Sequence, residues 1–94
     1  MWKLKEDDEV KKKENALLAK QSLENLVHKI PELKKAEVGI NINQTEAAYD
    51  LVLYSEFENE DDLAVYQSHP EHVKVGGLIK LITQRRAMVD YLVD

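Results

Sequence analysis

At 94 residues the chain fits a single domain, residues 1–94, since one core suits a length of about 100 residues and two do not. Its 18 acidic against 13 basic residues leave a net charge of −5, which opposes binding to a phosphate backbone, and it contains no cysteine for a disulfide, a thiolate zinc site or a cysteine nucleophile. The charged run after Met1 leaves no apolar leader and no later apolar run reaches membrane-spanning length, so a cytoplasmic chain with neither nucleic-acid nor membrane partners is expected.

In chain order, Trp2 to Lys5 alternate with Trp2 and Leu4 on one face, as a short strand does. Asp7 and Asp8 are N-cap candidates for the helix that follows, and the acidic residues Glu6 to Glu9 complement its positive end. Ala16, Ala19, Leu23, Leu26, Val27 and Ile30 recur at helical spacing, which predicts one helix from Glu9 to Lys29, stopped by Pro31. From Ala36 the period becomes two, with Val38, Ile40 and Ile42 on one side of a half-exposed strand. A polar connection, Asn43-Gln44-Thr45-Glu46, leads to a strand from Tyr49 to Phe57. Tyr49, Leu51, Leu53 and Phe57 share one face of it, but Val52 and Tyr54 add bulk to the other, so cover on both sides is expected.

Asn59 with Asp62 three residues on forms a capping pair for a short helix through Leu63 and Tyr66, broken by Pro70. Proline suits the first position of a second helix, expected from Pro70 to Ile82 with Val75, Ile79 and Ile82 inward. Gly76-Gly77 weakens that helix, so either a close backbone approach or a bend is expected there. Arg86 to Val93 alternates again and reads as the last strand. The order strand, long helix, strand, strand, helix pair, strand is an α+β pattern, the ferredoxin-like split βαβ arrangement. It predicts a four-stranded antiparallel sheet with helices on one face. So small a core gains from a partner, and the uncovered sheet face is the natural surface for a homodimer.

At Trp2-Lys3-Leu4-Lys5, Val38-Gly39-Ile40-Asn41, Tyr49 to Leu53, Tyr66-Gln67-Ser68-His69-Pro70-Glu71-His72-Val73 and Arg85-Arg86 to Asp90-Tyr91, the chain resembles the stress-responsive A/B barrel domain family of dimeric α/β barrels. The resemblance covers nearly the whole chain, with the His-Pro-x-His junction its most specific piece. It implies a homodimer whose two sheets pack face to face with helices outside, and a small-molecule cleft between sheet and helices of each subunit. Family members usually begin several residues earlier, with a histidine in the first half of strand one. A role resting on that histidine does not carry over to this chain.

The resemblance also extends to a polyketide cyclase, in which a tyrosine and a histidine at positions matching Tyr66 and His72 form the active pair. An imidazole that titrates near neutrality can remove a proton beside a carbonyl, and a phenol can hold the oxyanion that develops. The plainer alternative makes Tyr66 a core residue and leaves His72 in solvent at the first turn of its helix. His69, beside Pro70, suits a capping role in which its ring accepts from a backbone amide. His69 and His72 lie three apart but lack further ligands, and the acidic run Glu56 to Asp62 lacks the glycine and spacing of a calcium loop, so no metal is expected. No nucleotide loop, haem motif or Ser-His-Asp pattern is present, and no cofactor is expected. Two readings stand: a binding or assembly protein for a small apolar or aromatic molecule, and a cyclase or cofactor-free monooxygenase-like enzyme using Tyr66 and His72.

Overall fold

A computed structural model describes residues 1–5, 8–42, 45 and 48–93. The second N-cap candidate, Asp7, its acidic neighbour Glu6, and Asn43, Gln44 and Glu46 of the polar connection lie outside the described residues. The described residues form β1 (Trp2–Leu4), α1 (Glu9–Glu24), a 3₁₀ turn (Asn25–His28), β2 (Lys35–Ile40), β3 (Leu51–Glu56), α2 (Glu60–Ser68), α3 (Pro70–Ile82) and β4 (Thr83–Arg86). The sheet order is β2-β3-β1-β4 with every neighbouring pair antiparallel, which is the ferredoxin-like arrangement expected from the element order.

The helix starts are local and legible. Asp8 accepts from the amides of Val10 and Lys11 at the head of α1, and Asn59 accepts from Asp62 at the head of α2. Pro70 opens α3, where its missing amide costs nothing. The predicted single helix from Glu9 to Lys29 is divided: the α-helix ends at Glu24 and its last turn tightens to 3₁₀ over Asn25–His28. Leu26 and Ile30 still reach the core, so the apolar stripe is kept although the hydrogen bonding changes.

The core lies between the helices and the inner sheet face, built from Leu4, Ala16, Ala19, Leu23, Leu26, Ile30, Leu33, Val38, Leu51, Tyr66 and Ile79. Three expectations on the strands change. In β2 only Val38 of the predicted row is buried; the strand ends at Ile40, and Ile42 beyond it is 98% exposed. In β3 the outward Val52 and Tyr54 remain 45% and 39% exposed, so the cover expected on that face is incomplete within one chain. The last strand is Thr83–Arg86, not Arg86–Val93, because α3 passes directly into it: Thr83 is extended while its hydroxyl still donates to the Ile79 carbonyl at 2.8 Å. Met1 and Ala87 exchange two backbone bonds at 2.8 and 2.9 Å, and residues 88–93 continue outside the sheet. Gly76 and Gly77 sit in an unbroken helix with open space where a side chain would be, so the expected close approach is absent.

The central strand β1 has only three residues, and one side chain extends its pairing. The Asp50 carboxylate accepts from the Leu4 amide at 2.8 Å, its own amide donates to the Trp2 carbonyl, and Lys12 pairs with it at 3.2 Å. A charged acceptor thus stands in for a missing ladder carbonyl at a buried position. No helix among the described residues is long and apolar enough to cross a membrane.

Candidate functional site around the helix junction

Tyr66 and His72 face each other across the α2–α3 break. Six residues separate them in sequence, yet Pro70 and the extended His69 turn the chain so that their rings meet with centroids 4.3 Å apart and planes inclined at 43°. Phe57 meets Tyr66 from β3's end, centroids 5.0 Å apart. Tyr66 is only 6% exposed, and burial pushes its phenol above the ordinary tyrosine range. A phenol held neutral this way is a hydrogen-bond donor over the whole working pH range.

His72 lies 3.0 Å, through Nδ1, from the Gln67 carbonyl. A carbonyl only accepts, so this bond places the proton on Nδ1 and leaves Nε2 of the neutral ring as the acceptor. His69 has a different task. Its Nδ1 accepts from the Glu71 amide at 3.1 Å, which caps α3 as its place before Pro70 led us to expect. Glu71 in turn lies between Lys29 at 3.7 Å and Lys74 at 3.9 Å, on the rim of the junction.

The space beside the sheet is elsewhere. A predominantly apolar groove of about 400 Å³ opens at the far end of β2 and β3, lined by Gly39, Ile40, Ile42, Tyr49, Val52 and Met1 among others. A second, polar hollow of about 480 Å³ lies along α1 at Gln21, Ser22, Glu24, Asn25 and His28. The residues of the helix junction line neither. Sequence reading missed the groove because its walls come from two strand ends and Met1, which no spacing rule connects.

Across the open sheet face Lys35 stands 5.7 Å from the Tyr54 ring, and the Glu56 carboxylate beside Tyr54, with burial and the nearby Tyr91 hydroxyl, pushes the Tyr54 phenol up. The C-terminal segment therefore returns over the outer face. At the β2 edge, Glu24 accepts from the Val38 amide at 2.9 Å while Lys20 donates to the Val38 carbonyl at 2.8 Å and pairs with Glu24. Both backbone groups that point away from β3 at Val38 are thus occupied, and strand addition at that point is blocked. The Lys20 ammonium and the Val38 amide hold the Glu24 carboxyl below its ordinary range.

The sheet order and the helices on one face agree with comparison to known proteins, in which the stress-responsive A/B barrel domain matches residues 1–93. The chain belongs to this family. Among solved structures, a dimeric protein of unknown function with a ferredoxin-like fold from Bacteroides fragilis is 41% identical, with a TM-score of 0.81 over 96% of this chain and 87% of that one. A dimeric ferredoxin-like protein of unknown function from Thermobifida fusca shares the fold at 24% identity and a TM-score of 0.77, over 99% of this chain and 85% of that one. A third, from Jannaschia, does so at 21% and 0.71, over 93% and 84%. No curated protein matches this chain. In this A/B barrel domain the junction at Tyr66 and His72 lies inside the matched region.

Proposed function

We propose that this A/B barrel domain works in the cytoplasm as a homodimer closed through its open sheet face, and that it binds a small apolar or aromatic molecule. The observation that carries the dimer is Val52 and Tyr54, left 45% and 39% exposed on a central strand whose other face is fully used by the core. Apolar groups on a central strand face gain most from a second layer. The 41% identical Bacteroides fragilis protein, described as dimeric, supports the same reading. Multi-angle light scattering on the wild type tests it: twice the chain mass is expected, and the mass of one chain at micromolar concentration refutes it.

The groove of about 400 Å³ supports the ligand reading, since pockets of this order, mostly apolar with a few polar groups at the rim, suit small molecules. The net charge of −5, without a segregated basic face, argues against nucleic acid as the partner. A thermal-shift screen with aromatic and polyketide-like compounds tests this: a concentration-dependent rise in unfolding temperature is expected, and a flat response across the set removes the reading.

The second reading is an enzyme in which His72 Nε2 takes a proton and the Tyr66 hydroxyl donates to the oxyanion. The 4.3 Å ring contact and the neutral, buried phenol favour it. The His72→Ala variant separates the readings in that screen. Stabilisation lost with His72 assigns the ligand to the junction, and stabilisation retained assigns it to the groove.

A further inference from the structure

We propose that His69 is a positioning residue for the Tyr66–His72 contact and makes that contact sensitive to pH, held while the His69 ring is neutral and loosened once the ring takes a proton. This rests on the reading in which Tyr66 and His72 act as a pair, and adds what regulates them. His69 ends one helix and begins the next. Its amide donates to the Tyr66 carbonyl at 3.2 Å and closes α2; its carbonyl accepts from the Val73 amide at 3.0 Å, and its Nδ1 accepts from the Glu71 amide at 3.1 Å, which together open α3. The connection between the two helices is this one extended residue, with φ −64° and ψ 134°. The first turn of α3 carries His72, so the cap that fixes this turn also fixes His72 against Tyr66.

The two histidines hold the junction with opposite forms of the ring. A backbone amide only donates, so Nδ1 of His69 bears no hydrogen and its ring is neutral. The Gln67 carbonyl only accepts, so Nδ1 of His72 bears one, and does so whether that ring is neutral or charged. Protonation therefore removes the bond of His69 and spares that of His72. Imidazole takes its proton between about pH 8 and about pH 5. The cap belongs to the neutral ring, so it is complete at the upper end of this range and is lost towards the lower end. A protonated His69 also sets a positive charge against the positive end of α3. The ionisable groups that neighbouring elements bring to the junction are Glu71, His72 and Lys74 of α3, Tyr66 of α2, and Lys29 after the 3₁₀ turn. Lys29 and Lys74 flank the Glu71 carboxylate at 3.7 and 3.9 Å, and Phe57, against Tyr66 from the end of β3, adds no charge.

Nuclear magnetic resonance on the isotope-labelled full chain, wild type and His69→Asn, at about pH 8 and about pH 5.5, tests the proposal. Three signals are read: the scalar coupling across the hydrogen bond between the Glu71 amide nitrogen and His69 Nδ1, the protection of the Glu71 amide from exchange relative to its intrinsic rate, and the cross-peak between the Tyr66 and His72 rings. In wild type the coupling is expected at the higher pH and absent at the lower, with protection falling about fivefold, the scale of one N-cap bond, and the ring cross-peak weakening. In His69→Asn, whose side-chain oxygen caps without titrating, protection and cross-peak are expected to be the same at both pH values. A wild-type coupling that persists in acid, or a ring cross-peak that does not change, overturns the proposal and leaves the paired reading standing. A cross-peak that weakens equally in His69→Asn assigns the change to the His72 ring itself and likewise overturns it. Wild-type rings that give no cross-peak even at the higher pH overturn both.

Discussion

Asp50 is the side chain on which the short central strand most depends. It accepts from the Leu4 amide and pairs with Lys12, so Asp50→Ala leaves an amide without its charged acceptor beside the core. A hydrogen bond to a charged group contributes about 1.5–3 kcal/mol, and we expect Asp50→Ala to lose that much in urea unfolding, with Asp50→Asn recovering part of it. Glu24 makes a pH-dependent contribution of the opposite partners, from α1 to the β2 edge. Its carboxyl is held below the ordinary range in the folded chain, so its contribution is complete above the unfolded value and is lost as pH falls through the folded one. The stability difference between wild type and Glu24→Gln is therefore expected to be largest near neutrality and to vanish in acid. Because the pair is about one-third exposed, that difference stays within roughly 1 kcal/mol. A pH-independent difference removes this assignment. Neither role was legible in the sequence, because Val38 lies 14 residues from Glu24 and Leu4 lies 46 from Asp50.

Among the elements, α3 holds the most correctable weakness. Gly76 and Gly77 are helical, neither has positive φ, and a methyl group at either would meet nothing within 4 Å. Replacing a helical glycine by alanine where there is room stabilises by about 0.5–1 kcal/mol, so Gly76→Ala and Gly77→Ala are each expected to raise the urea midpoint. A drop in the midpoint for either variant counts against an open helix face there. The helix starts of α1, α2 and α3 followed from Asp8, Asn59 and Pro70, since capping is local chemistry between neighbours. The final strand did not. Alternation is as clear in Arg86–Val93 as in any strand, but a strand exists only where a neighbour supplies hydrogen bonds, and β1 supplies them to Thr83–Arg86.

For the molecule as a whole, the open sheet face is the surface to disrupt. In the proposed dimer a lysine at position 52 would place a charge among the apolar groups of the interface, so Val52→Lys is expected to shift the light-scattering mass from two chains to one while the far-ultraviolet circular dichroism of the fold is kept. An unchanged dimer in that variant moves the interface elsewhere. The α+β element order, the inner rows of the helices and the His-Pro-Glu-His junction were determined by the sequence itself, because periodicity, caps and proline act over a few residues. Only the tertiary structure decided that Tyr66 and His72 touch, that Asp50 completes β1, that the apolar groove forms at the β2–β3 end, and that residues 87–93 lie outside the sheet. Each of these depends on contacts between residues distant in sequence, and such contacts are set by register and packing, which local pattern does not encode.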